Sequence, residues 1–206
     1  MSRDDELCML DRKATFMSRT ELYRSLGFDR IAAAEFVTGS AMGLRGPALD
    51  IGTGKGTTAI SLARCGLEVI SVDTDRNAQE FAEFLAGDAG LGDRVSFVCG
   101  DAASLAFPDG AFGCVASMDA LHHFEKPRAV LGEMTRVLRA SGTLILSDFT
   151  PEGFEIISSV HRRDGCEHPV AGVTLKEAES ILAEAGFKVA DRKRQHHHDV
   201  SVLVRV

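Results

Sequence analysis

The chain has 206 residues, 45% of them hydrophobic, and a formal net charge of −7 at pH 7. That length and apolar content suit one folded domain with a substantial core and exclude wholesale disorder. The acidic balance argues against a nucleic-acid partner, no run approaches the ~20 apolar residues of a bilayer span, and the charged opening segment lacks a signal-peptide core.

In chain order, residues 4–13 and 19–43 read as helices, with Leu22, Leu26, Ile31, Ala34 and Val37 forming an apolar stripe. Strands are expected at about 47–51, 68–72, 95–98, 113–117 and 143–149. Helices are expected near 56–65, 76–87, 127–139 and 174–185, with a short one near 152–160. The last piece reads as a β-hairpin, Lys188–Arg194 and Asp199–Val206, turning through His196-His197-His198. Val200, Leu203 and Val206 break strict alternation, which suits a strand buried on both faces. Five cysteines are scattered along the chain, Cys99 and Cys114 inside expected strands. That pattern suits reduced thiols and a cytoplasmic location.

The most informative turn is Asp50-Ile51-Gly52-Thr53-Gly54-Lys55-Gly56, between a short apolar strand and a helix. Glycines at such a junction let backbone N–H groups approach a ligand, and the helix N-terminus favours negative charge there. The next strand closes on Asp73, where an acidic residue typically grips ribose hydroxyls. A P-loop would need glycine at position 49 and Ser or Thr at 56; the chain has Leu49 and Gly56. A dinucleotide fingerprint would read G-x-G-x-x-G, whereas here Gly56 follows Gly54 directly after Lys55.

Five segments carry a more specific signal: LDIGTGKG at 49–56, VISVD at 69–73, FVCGDA at 97–102, FGCVASMDALHHF at 112–124 and EMTRVLRASGTLILSDF at 133–149. In this order and spacing the sequence resembles the class I S-adenosylmethionine-dependent methyltransferases, especially their small-molecule type. The resemblance implies a Rossmann-like, doubly wound α/β fold. Its seven-stranded sheet would be mostly parallel and end in an antiparallel hairpin, under an N-terminal helical cover. It also implies S-adenosylmethionine as cofactor. Asp50, Gly52, Thr53 and Gly54 would surround the aminocarboxypropyl tail, and Asp73 would bond both ribose hydroxyls. Thr74 and its neighbour Asp75 would line the adenosine, Asp101 and Ala102 the adenine, and Ser117 and Met118 the sulfonium. Asp101 also suits a helix N-cap. Neither the Asn-Pro-Pro-Tyr tetrapeptide of amide-type N-methyltransferases nor the Pro-Cys pair of cytosine-C5 enzymes occurs, which leaves a small molecule or a compact group on a protein as acceptor.

Methyl transfer needs alignment above all, and a general base only if the nucleophile arrives protonated. Asp119, His122 and His123 follow strand four at the ligand-binding edge. His161 and His168, in the segment after strand five, are the leading substrate-site histidines, since imidazole titrates near neutrality. The resemblance divides the chain into a cover (1–43), a cofactor-binding core (44–150), a substrate lid (151–173) and a C-terminal helix and hairpin (174–206), all within one domain. Within the cover, Phe16, Met17 and Tyr23 would form an apolar wall and Arg19 would hold an anion. Two alternatives stay open: a metal- or metalloid-linked methyltransferase using Cys166 with His161, His168 and a terminal histidine, or a non-catalytic S-adenosylmethionine-binding regulator. The lid reading needs no resident metal.

Overall fold

A computed structural model describes residues 3–165 and 172–206. Helix α1 runs unbroken over Arg3–Ser25, and α2 covers Arg30–Thr38. The expected interruption at 14–18 is absent, because that stretch contains neither Gly nor Pro. The break falls instead at Gly27, whose φ of +88° ends the helix. Asp29 then caps α2 by accepting from the Ile31 and Ala32 N–H groups.

Strands and helices alternate from there: β1 Ala48–Ile51, α3 Thr57–Arg64, β2 Val69–Asp73, α4 Arg76–Asp88, β3 Val95–Cys99 and β4 Phe112–Met118. They continue through α5 Pro127–Val137, β5 Leu138–Phe149, α6 Pro151–Arg163, α7 Leu175–Glu184, β6 Phe187–Gln195 and β7 His198–Arg205. The sheet order is β3-β2-β1-β4-β5-β7-β6. The first five strands are parallel, and β7 pairs antiparallel with both β5 and β6. This is the doubly wound, hairpin-closed sheet expected from the sequence. Strand β5 begins earlier than expected, because α5 ends at Val137 and the chain extends at once. The hairpin turn consists of His196 and His197, at φ +52° and +61°. Two left-handed residues are what a two-residue hairpin of this twist requires.

Alternating strand residues feed two cores. Ala48, Cys114, Ala116 and Ile145 pack with apolar residues of α1–α4 and α6. Leu49, Ile51, Val115, Leu144 and Leu146 pack with α5 and α7. Strand β7 sends Val200 to the first core and Leu203 to the second, so it is buried on both faces. Helices on both faces leave the carboxyl edge of the sheet open where strand order reverses, between β1 and β4. Doubly wound sheets bind ligands at that point. Among the described residues, no helix is long and apolar enough to cross a membrane.

Candidate active site

The turn after β1 is built on three left-handed glycines, at φ +90° (Gly52), +50° (Gly54) and +75° (Gly56). A Cβ at Gly52 would stand 2.7 Å from the Ala120 Cβ, and one at Gly56 2.8 Å from the Ala82 Cβ. Side chains are therefore excluded twice over, by backbone and by space. At Gly54 the space is open, and its N–H donates to Asp73 Oδ2 at 3.0 Å. The Asp75 N–H donates to Asp73 Oδ1 at 2.9 Å. Each carboxylate oxygen of Asp73 is thus fixed by one backbone donor and keeps acceptor capacity for another partner.

Beneath the turn lies a buried polar chain. The Ser71 hydroxyl is 2.7 Å from Asp50 Oδ2, and the Thr53 hydroxyl is 2.7 Å from that of Ser71. With Ser71 donating to the carboxyl, Thr53 must donate to Ser71. Asp50 is fully buried and its Oδ1 has no partner among the described residues. Burial pushes its pKa from 3.8 up to about 7, Ser71 opposing and the charge of Asp73 adding. An unpaired buried carboxyl oxygen beside an open glycine turn fits a ligand that brings a cationic group. The double-acceptor Asp73 fits vicinal hydroxyls. Both suit the amino-acid and ribose ends of S-adenosylmethionine.

A cavity of about 530 Å³ opens over this turn, walled in part by Gly52, Gly54, Asp73, Thr74, Asp101 and Ala102. Asp101 accepts from the Ala103 N–H at 2.8 Å in a turn that no helix follows, so the N-cap alternative is set aside. Ala102, Ala103, Phe124 and Val130 give that end of the cavity apolar walls. Four residues that the sequence assigns to the cofactor line neither this cavity nor its neighbour. Ser117 points into the sheet, its hydroxyl donating to the Ile51 carbonyl at 3.0 Å. Met118 packs in the first core. The pleat explains the displacement, since the wall beyond β4 is made by the next residues, Asp119 and Ala120. Thr53 and Asp50 likewise stand behind the wall.

A second cavity, of about 640 Å³, adjoins the first and shares Gly54, Asp119 and His123 with it. Helices α1 and α6 close it, with Phe16, Tyr23, Phe81, Phe149 and Ile157 as its apolar surface. Asp119, at φ +57°, sits at the junction. Its Oδ1 lies 2.7 Å from Nε2 of the fully buried His198, whose Nδ1 lies 2.8 Å from the His196 carbonyl. Both ring nitrogens face acceptors, which suits an imidazolium paired with a carboxylate. Burial disfavours that charge, but the charge and hydrogen bond of Asp119 outweigh it and raise the pKa of His198. The sequence marks His198 only as a hairpin or metal residue, because nothing local in His196-His197-His198 distinguishes a buried partner from a turn.

The two histidines after β4 part company. His122 is buried, with Nδ1 2.8 Å from Asp148 Oδ1, and acts as a strut between β5 and the chain after β4. His123 lines both cavities; burial first, then His122, lowers its pKa, with Asp148 and Asp119 opposing. It is therefore largely neutral at pH 7 and able to accept a proton. His161 lines the second cavity from α6, its pKa lowered by burial and then by Arg19. Tyr23 lines the same cavity, while Met17 is half exposed and outside it. His168 and Cys166 lie outside the described residues. Among the described residues no group of three His, Cys, Asp or Glu is placed to hold a metal.

Residues 49–146 match the family model described as a methyltransferase domain. The chain is 36% identical over 145 residues to 27-O-demethylrifamycin SV methyltransferase of Amycolatopsis mediterranei (strain S699), covering 68% of this chain and 53% of that one. It is 32% identical over 143 residues to the demethylmenaquinone methyltransferase of Clavibacter sepedonicus, covering 69% and 57%. A solved structure from Pyrococcus horikoshii OT3 has the same fold, with a TM-score of 0.71 and 24% identity over 89% of this chain and 91% of that one. Residues 49–146 are thus a methyltransferase domain, similar to those of the class I enzymes whose cofactor is S-adenosylmethionine. It spans about half the length of the curated relatives it matches.

Proposed function

We propose that the protein transfers the methyl group of S-adenosylmethionine to a small-molecule acceptor by in-line displacement, within one domain and in the cytoplasm. One observation carries the reading. The glycine turn, Asp73 and Asp101 converge on one cavity, which opens at Gly54, Asp119 and His123 into a second cavity of acceptor size. The relatives' names, a demethylrifamycin and a demethylmenaquinone methyltransferase among them, support a small acceptor. Cys8, Cys65, Cys99 and Cys114 are free thiols, in keeping with a reducing compartment.

S-adenosylmethionine, when bound, supplies an activated methyl on a sulfonium. The work left to the chain is binding, alignment and exclusion of water, which together account for several kcal/mol or more of barrier. Asp73 would hold the ribose with both oxygens preset by backbone donors. From behind the wall Asp50 would draw the cationic end by its charge, without lining the cavity, and Thr53 would fix its hydrogen-bonding chain. Gly52, Gly54 and Thr74 would form the floor, and Asp101 with Ala102 would receive the base. Ser117 and Met118 would support that floor from inside the sheet. At the junction His123 would take the proton of a hydroxyl, thiol or ammonium acceptor. Residues 1–43 would cover the site, with 151–173 as lid and His161 presented from it; His168 belongs to the same lid reading.

Calorimetric titration with S-adenosylmethionine, S-adenosylhomocysteine and NAD tests this directly. Micromolar binding of the first two and not of NAD is expected. Binding of NAD alone would sink the reading. Turnover to S-adenosylhomocysteine with any acceptor separates an enzyme from a regulator.

A further inference from the structure

The second cavity carries charge opposite to that of the whole chain. In a molecule of net charge −7, its wall presents Arg12, Arg19, Arg30 and Lys55 against only Asp11 and Asp119. Some of this charge is already engaged. Arg19 pairs with Asp164 at 2.7 Å, Asp119 pairs with His198, and Arg12 donates to the Asn77 carbonyl at 2.9 Å. Arg30 and Lys55 differ. The Arg30 guanidinium lies 5.0 Å above the Tyr23 ring centroid, and the Lys55 ammonium 5.9 Å from that of Phe81. Among the described residues neither has a carboxylate within ion-pair distance.

The four cations also feel one another. Burial and then Arg12 lower the pKa of Lys55, with Arg30 and Arg19 adding and Asp75 opposing. Arg19 and Arg30 act on His161 in the same direction, against Asp164. Like charges gathered on an apolar cavity wall are costly until an anion enters. Guanidinium groups beside rings suit a planar anion on an aromatic-sized body.

We propose that the methyl acceptor is an anionic small molecule, bearing a carboxylate or a phosphate that Arg30 and Lys55 hold with help from Arg19. Its apolar body would rest on Tyr23, Phe81 and Phe149, which turns its nucleophile toward Asp119 and His123 at the junction. This assignment rests on the methyltransferase reading.

The test is calorimetric titration of protein saturated with S-adenosylhomocysteine, using benzoate, phenyl phosphate and neutral benzamide as probes. At least one of the two anions is expected to bind about tenfold more tightly than benzamide, and less tightly as salt is added. The stronger of the two identifies carboxylate or phosphate. Arg30→Gln should erase the preference and Arg30→Lys should keep part of it, while retained S-adenosylhomocysteine binding shows that each variant is folded. Anions binding no better than benzamide, or a preference that survives both Arg30→Gln and Lys55→Gln, overturns the proposal. If wild-type protein fails to bind S-adenosylhomocysteine, the methyltransferase reading itself falls, and this acceptor with it.

Discussion

The two adjoining cavities meet at Gly54, Asp119 and His123 and are built from opposite materials. The first is acidic and made by strand ends: Asp73 and Asp101 are short side chains whose oxygens are pinned by backbone N–H groups. The second is basic and made by helices: its arginines reach in on long side chains from α1 and α2. A wall of backbone-pinned carboxylates has one shape and so selects one ligand. A wall of long cations on a helical cover changes its contents with a few substitutions and leaves the sheet alone. The largest expected effect lies on the rigid side. Asp73→Ala removes two charge-assisted acceptors and should weaken S-adenosylhomocysteine binding by about two to four orders of magnitude. Calorimetry showing a loss under about threefold would mean that Asp73 does not hold the ligand.

The same contrast explains what could be read in advance. Gly52, Gly54, Asp73 and Asp101 stand in contiguous motifs at strand ends, where local sequence dictates local geometry, so the fold and the first cavity were legible. The second cavity joins residues 12, 30, 55 and 161, whose proximity is set by how α1 and α6 cross the sheet edge. No local pattern records that. Of its cations the sequence marks only Arg19 as an anion holder, and Arg19 is the one paired with Asp164. Ser117 and Met118 were misplaced by one or two residues of pleat, since a strand's end and its ligand-facing loop are adjacent in sequence but point differently.

Asp50 sharpens the comparison from beneath the first cavity. Its folded pKa of about 7 lies above the 3.8 of an unfolded aspartate, so the folded chain holds a proton that the unfolded chain has released. Its contribution to stability is complete below about pH 4 and falls as pH rises to about 7. Asp50→Asn removes that dependence. Whatever fixed offset the substitution adds, the variant should gain about 2–3 kcal/mol on the wild type between pH 5 and 8. Chemical denaturation at several pH values measures this; parallel curves would show that Asp50 is ionised throughout. Because a cationic ligand beside the unpaired oxygen favours the carboxylate, binding near pH 6 should also release a proton.

At the junction, His198→Gln leaves the partly buried Asp119 without its cationic partner. A loss of about 2 kcal/mol in stability is expected, below the value for a fully buried pair because Asp119 retains access to solvent. The His198 pKa is raised in the fold, so this contribution is present below the ordinary imidazole pKa and disappears as pH rises through the higher folded value. Wild type and variant should therefore converge in stability at alkaline pH. A gap that persists unchanged to pH 9 would point to packing against Phe28 and Phe149 as the role of His198.

The smallest effect is expected two residues before Asp119, inside β4. Ser117 donates one hydrogen bond to the Ile51 carbonyl and is fully buried, so Ser117→Ala should cost about 1 kcal/mol of stability. Because Ser117 lines neither cavity, S-adenosylhomocysteine affinity should change by less than about twofold. A tenfold loss of affinity with unchanged stability would put Ser117 in contact with the ligand after all, and would move the ligand-facing wall inward from Asp119. The pair therefore locates where β4 stops being core and becomes site: on one side a hydroxyl answers only to the sheet, and on the other a carboxylate answers to both cavities at once.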